Sequence, residues 1–314
     1  LYVDGVLMVT TDDTRTGNFD IAATMRIGRD TGANYFNGTI DEIKAYSYVL
    51  TADEVKVDYN LGKTATFGST GTTSTGVADN SALREYCVPG DATTCSVPLA
   101  EWKMDEGTGT TAYDTSGTNP ANFGVGNSAP SWSNGVFGNG INFGGSDHID
   151  LTSTIQFDSA NFTISGWFKT GASGVNDQIW NSGYNGGNTD AEILIHTANT
   201  LRFYVRDSAG VDIPSANLAS LAAVNDNKWH YFAAVRNSNT FSLYIDGLLN
   251  ASNTTTIGDV DTAGVIPRMG NGLNAINNRQ LTGLLDQVRV YTYARTPAQI
   301  AWEYNKGAPI AHYK

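Results

Sequence analysis

Short runs of alternating apolar and polar positions fill the second half of the chain: "FTISGWFKT", "EILIHT", "LRFYVRD", "HYFAAVR", "FSLYIDG" and "LLDQVRVYTY". A period of two marks strands with one buried face, and the Gly, Asn and Asp clusters between the runs mark turns. Helical periodicity is confined to two segments, "TADEVKVDYN" and "TPAQIAWEYN", each opening on a Thr suited to the N-cap with apolar residues a turn apart. The pattern predicts an all-β chain: a two-sheet antiparallel sandwich with a short helix after the last strand, packed across one end of the sheets. Trp102, Trp167 and Trp229 fall in strand motifs and are expected in the core, and Trp302 on the buried face of the helix.

The two helical segments belong to a longer internal repeat. "LYVDGVLMV" at the start of the chain returns as "LYIDGLLNA" from Leu243, and Gly28 aligns with Gly270 in the same register. Past a short insertion the match resumes, with Gly38 on Gly283, Asp41 on Asp286, Tyr46 on Tyr291 and Thr51 on Thr296. "PIAHYK" at 309–314 likewise resembles "PLAEWK" at 98–103. These matches divide the chain into the C-terminal part of one unit (1–62), a linker (63–96), a complete unit (97–307) and the first strand of a further repeat (308–314). Residues 1–62 hold only the closing strands of their unit, so its front strands are expected from the same polypeptide or another molecule.

The linker "KTATFGSTGTTSTGVADNSALREYC" is too poor in apolar residues to bury a core and reads as a flexible spacer. It ends in "YCVPGDATTC", where Cys87 and Cys95 flank a Pro-Gly turn. Their spacing suits a small disulfide loop worth about 2–3 kcal/mol, which implies an oxidising compartment outside the cytoplasm; two free thiols are the alternative. The rest of the composition agrees with strands and turns, with 34 Gly and only 16% charged residues among 314. A net charge of −12 disfavours nucleic acid and anionic membrane surfaces as partners, and no apolar run is long enough for a spanning helix.

"AEWKMDEGTGTTAYDTSG", "GNGINFGGSDHIDL", "FTISGWFKT", "WHYFAAVRNSNTFSLYIDG" and "GLLDQVRVYTYARTPAQI" together resemble the laminin-G-like, concanavalin A-type jelly rolls. The resemblance covers nearly all of 97–307 and recurs in its closing motifs over 1–62. The array and its spacer also resemble giant bacterial surface proteins with tandem lectin-like domains. The first resemblance implies a jelly-roll fold and, at the Asp that opens the last-strand motif, a structural calcium held with backbone carbonyls. Asp286 in "DQVRVY" and Asp41 in "DEIKAY" occupy that place, with Asp114 and Asp147 as further contributors. An Asp accepting turn N–H bonds is the alternative.

Carbohydrate recognition needs an aromatic platform flanked by amide and carboxylate groups. The segment "NDQIWNSGYNGGNTDAE" supplies Trp180, Tyr184, Asn185 and Asp190, with closure of the core by Trp180 as the competing reading. Catalysis finds less support. The Glu-x-Asp-x-x-Glu run of related hydrolases is missing, the nearest approach being Asp190 and Glu192, and the four His and two Cys make no triad. Asn161, Asn250 and Asn253, like Asn37, head Asn-X-Ser/Thr sequons. The expectation is a non-enzymatic, extracellular array of lectin-like units in a cell-surface adhesin, binding glycan or cell-surface polysaccharide and contacting neighbouring repeats of the same or another chain. A non-binding spacer of a surface stalk is the alternative, and a glycoside hydrolase the least favoured.

Overall fold

The computed structural model describes residues 1–3, 6–10, 27–28, 35–38, 55, 86, 96–117, 119–157, 160–174, 176–183, 190–213, 218–260, 264–273 and 279–305. The chain forms two compact units, Leu1–Glu85 and Tyr86–Lys314. Cys87, Cys95, Asp41, Tyr184, Asn185, residues 308–314 and nearly all of the linker lie outside the described residues.

In the first unit, β1 (Tyr2–Val3) and β2 (Val6–Leu7) pair as an antiparallel hairpin, with Tyr2 opposite Leu7 and Val3 opposite Val6. The second unit contains β3 (Ala100–Trp102), β4 (Thr111–Ala112), β5 (Ala121–Phe123), β6 (Ser131–Asn134), β7 (Asn139–Gly144), β8 (Ile149–Leu151) and β9 (Phe162–Lys169). Then follow β10 (Asp177–Asn181), β11 (Asp190–Ile195), β12 (Leu201–Arg206), β13 (Asp212–Ile213), β14 (Trp229–Asn237), β15 (Thr240–Ile245), β16 (Leu248–Thr254), β17 (Arg268–Met269), β18 (Thr282–Tyr291) and helix α1 (Pro297–Tyr304).

Where both copies of the repeat are described, they fold alike. Tyr244 faces Leu249 and Ile245 faces Leu248 across β15 and β16, the register of β1 and β2. Gly28 and Gly270 both take the left-handed backbone, at φ 78° and 84°, which glycine adopts without steric cost. Each carbonyl accepts a 2.8 Å hydrogen bond from the equivalent downstream amide, Phe36 in one unit and Leu281 in the other.

The second unit is an antiparallel sandwich. Sheet I runs β13-β12-β11-β10-β17-β8-β5-β4 and sheet II runs β16-β15-β14-β9-β18-β7-β6, with β3 pairing β18. Alternation sorts each strand: Leu201, Phe203 and Val205 of β12, Ile164 and Phe168 of β9, and Phe241 and Leu243 of β15 enter one continuous core between the sheets. Gly166 on β9 leaves room for the Phe232 ring, because a Cβ there would sit 3.1 Å from Val288 and 3.2 Å from Phe232.

The outer face of sheet II is closed. Helix α1 opens with Thr296 in a reciprocal capping box with Gln299 and with Pro297 in its first turn. It lies on the outer face of sheet II: Ile300 joins Trp167, Tyr231, Ala233, Val235 and Tyr244 in a second apolar cluster, and Glu303 bonds Ser165 of β9 at 2.7 Å. The buried helix face is Gln299, Ile300 and Glu303, so Trp302, expected there, is instead half-buried.

Around Glu303 the sheet face is ionic. Arg289 bonds Glu101 at 2.6 Å and Glu303 at 3.2 Å, and Arg295 reaches Glu303 at 3.2 Å and the Tyr86 carbonyl at 3.0 Å. Burial opposes ionisation of Glu303, but Arg295 and Arg289 outweigh it and hold the carboxyl below its usual range. A bulge in β18, with Gln287 at φ 51°, lets Asp286 and Arg289 both face this layer although they are three positions apart.

Candidate functional site

The other outer face, that of sheet I, carries the candidate site. On β12 the positions between the core residues are Arg202, Tyr204 and Arg206, all half-buried, so one aromatic ring stands between two guanidinium groups on one face. Strand register extends Tyr204 into a row across the sheet. Tyr204 lies opposite Glu192 of β11, Glu192 opposite Asn181 of β10, and Asn181 opposite Arg268 of β17. Arg268 then faces Asp150 of β8, Asp150 faces Asn122 of β5, and Asn122 faces Thr111 of β4. Directly opposed residues share a face, so this polar band crosses the sheet for about 29 Å at ~4.8 Å per strand step.

The band is internally braced. Glu192, 3% exposed, accepts from Asn181 Nδ2 at 2.8 Å and from Arg279 Nη1 on both carboxylate oxygens at 2.8 Å. Arg268 makes a forked pair with Asp150, Nε to Oδ1 at 2.6 Å and Nη2 to Oδ2 at 3.0 Å. His148, two positions before Asp150 and so on the same face, lies 3.6 Å from that carboxylate. Burial, reinforced by Arg268, holds its pKa below the usual value and keeps the ring neutral near pH 7. Each carboxylate is thus pre-paired, and the amides are braced as well: Asn181 Oδ1 accepts from the Gly183 amide at 3.0 Å, and Thr111 donates to Asn122 Oδ1 at 2.9 Å. Glu192 and Asp150 are three strand steps apart, about 14 Å along the band, beyond the roughly 5–10 Å over which two carboxyl groups share a glycosidic bond.

Of the residues nominated from sequence for carbohydrate, Trp180 and Asp190 are described, while Tyr184 and Asn185 lie outside the described residues. Trp180 is not a stacking platform: it is wholly buried, its ring 6.2 Å from that of Trp102 in the core. The reason is a bulge in β10. Gln178 opposes Leu194 while Trp180 opposes Ile193, so residues two apart fall on opposite faces. Asp190 begins β11, in register opposite Arg206 of β12. Trp229 is partly buried against the second apolar cluster, whereas Trp102 and Trp167 are core residues.

The carboxylates nominated for calcium do not converge. Asp286 is fully buried, and its Oδ2 accepts from the Val136 and Phe137 amides at 2.8 and 3.0 Å. Asp114 Oδ1 takes the amides of Glu101, Ser116 and Gly117 at 2.9–3.0 Å, and its Oδ2 that of Asn119 at 3.1 Å. Asp147 accepts from Gly144 at 2.5 Å in a separate turn. Each organises its own loop, and among the described residues no three His, Cys, Asp or Glu side chains are grouped to hold a metal ion. The three described carboxylates therefore do not fit a shared metal site.

A jelly-roll sandwich with one face sealed by its own helix and the other bearing a continuous polar band is a lectin-like module. The chain belongs to the concanavalin A-like lectin/glucanases superfamily, whose family model matches residues 1–56 and 143–301. No curated protein matches the sequence. Among solved structures, the binding domain of Paraclostridial Mosquitocidal Protein 1 superposes with a TM-score of 0.54 at 19% identity, over 67% of this chain and 52% of that one. Domain 4 of AbnA, an extracellular arabinanase of Geobacillus stearothermophilus solved with arabinotriose, gives 0.51 at 17% identity, over 65% of this chain and 97% of that domain. The binding domain of botulinum neurotoxin serotype D gives 0.50 at 17%, over 66% and 50%. The chain thus spans about half the length of the toxin domains it matches. At these identities the likeness is one of fold. No helix among the described residues is long and apolar enough to cross a membrane.

Proposed function

We propose that the second unit is a non-catalytic glycan-binding module, and that the outer face of sheet I is its binding surface. The observation that carries this reading is the band from Tyr204 to Thr111, an aromatic ring set in a row of braced amide, carboxylate and guanidinium groups. Its length suits an extended oligosaccharide laid across the strands, with Tyr204 stacking on one sugar, the more exposed Asn122 and Thr111 bonding hydroxyls, and the buried Asn181 and Glu192 bracing the sheet beneath. The solved relatives include a domain carrying arabinotriose, which supports a sugar as the ligand class. The spacing and pre-pairing of Glu192 and Asp150 argue against hydrolysis. On this reading the protein works outside the cell as part of a surface adhesin, where repeated units would add avidity.

Titration calorimetry against neutral and acidic oligosaccharides tests the proposal. Tyr204→Ala should weaken a binding glycan about tenfold, the effect of losing ~1.4 kcal/mol of stacking. Arg268→Ala should weaken it as well by releasing Asp150, and no binding across the panel, or affinity indifferent to both changes, would overturn it.

A further inference from the structure

The described sequons differ sharply in what the fold does to them. At Asn161-Phe162-Thr163 the threonine is wholly buried, its Oγ1 donating to the Tyr293 carbonyl at 2.9 Å and accepting from the Arg295 amide at 2.9 Å. At Asn250-Ala251-Ser252 both ends of the asparagine amide are engaged, Nδ2 with the Leu248 carbonyl at 3.1 Å and Oδ1 with the Leu221 amide at 3.0 Å. Its serine is paired with Ser242 at 3.2 Å.

Asn253-Thr254-Thr255 is different. It sits at the end of β16, the terminal strand of sheet II among the described residues, which carries no charged residue and no proline. Asn253 is half-buried and Thr254 exposed. The Thr255 hydroxyl donates to Asn253 Oδ1 at 2.7 Å, and among the described residues Nδ2 has no hydrogen-bond partner on a side chain that is only half-buried. The nitrogen that must react is therefore open, and the required hydroxyl is already on the same amide.

We infer that Asn253 is an N-glycosylation acceptor in the folded protein, and that the other two described sequons are closed by the fold. The step joins Asn253 Nδ2 to the anomeric carbon of a sugar activated as a glycosyl phosphate ester. The new N–C bond forms as the anomeric C–O bond breaks, the phosphate leaves with the electron pair, and one amide proton passes to the transferase. No oxidant or reductant takes part. A sugar at this position would cover the uncharged edge of β16 and prevent strand addition there.

The test uses the purified folded chain, a soluble N-glycosyltransferase that reads Asn-X-Ser/Thr, and a nucleotide-activated hexose, with a peptide spanning 250–256 as a control for enzyme activity. Peptide mapping should place a hexose on Asn253, lost in Asn253→Gln and Thr255→Ala and kept in Asn161→Gln and Asn250→Gln. The heat-denatured chain should gain hexose at Asn161 and Asn250 as well. Modification of the peptide but not of Asn253 in the folded chain, or a hexose on folded Asn161 or Asn250, would overturn the assignment.

Discussion

Asp177 opens β10 with 2% of its surface exposed, and its Oδ2 accepts the Thr282 amide at 3.1 Å, joining the start of β10 in sheet I to the start of β18 in sheet II. Burial pushes its pKa from the usual 3.8 to about 6, against the opposing pull of the Thr282 hydrogen bond. The folded protein therefore holds this proton more tightly than the unfolded chain. Below pH 3.8 both states are protonated and the group is neutral in effect. Between 3.8 and about 6 the unfolded state ionises first, so stability falls as pH rises, and the full loss is present above 6. The interval from 3.8 to about 6, at ~1.4 kcal/mol per pH unit, amounts to about 3 kcal/mol. Asp177→Asn keeps an acceptor for Thr282 and removes the charge, but its new amide N–H₂ must find partners at a cost of about 1–2 kcal/mol. The net expectation at pH 7 is a gain of about 1–2 kcal/mol, or roughly 2–8 °C in Tm for a unit of this size. Scanning calorimetry of both proteins from pH 4 to pH 8 should show the gap opening as pH rises. A variant less stable than the parent at pH 7, or a gap independent of pH, would refute the reasoning.

Other outcomes follow from the same structure. His230 lies between Asp246 and Asp226, Nδ1 at 2.9 Å and Nε2 at 3.0 Å, and the hydrogen bond that Nδ1–H donates to Asp246 chiefly raises its pKa. A raised histidine stabilises the fold below its unfolded pKa near 6.5 and loses that contribution as pH climbs through the folded value, so His230→Gln should lower Tm at pH 5.5 and have little effect at pH 8.5. Glu303→Gln leaves Arg289 and the fully buried Arg295 without their shared carboxylate, and should cost about 3–5 kcal/mol by denaturant unfolding. Because Asp286, Asp114 and Asp147 spend oxygens on backbone amides in separate loops, chelation should leave Tm unchanged; a marked fall reversed by calcium would point to a carbonyl-based site at one of them.

The strands and the closing helix were legible because two-residue alternation and the Thr296 cap are local signals, written where they act. The band was only half legible. Arg202, Tyr204 and Arg206 alternate visibly in "LRFYVRD", but Glu192, Asn181, Arg268 and Asp150 come together through strand register across distant parts of the chain, which no local pattern encodes. Trp180 misled for a definite reason: the β10 bulge reverses the facing of "QIW" without any Gly or Pro to announce it. Asp286 is legible only as a buried acceptor, because the same carboxylate that suits a metal also suits a turn; its Oδ2 bonds to Val136 and Phe137 come from chain 150 and 149 residues away.

The claim that the open face of sheet I binds sugar is tested most directly by backbone amide chemical-shift mapping of the chain with an oligosaccharide that binds it. Shifts concentrated at residues 181, 192, 204, 268 and 279 are the predicted result. Shifts gathered on helix α1, or on the edge of sheet II around β16, would contradict it.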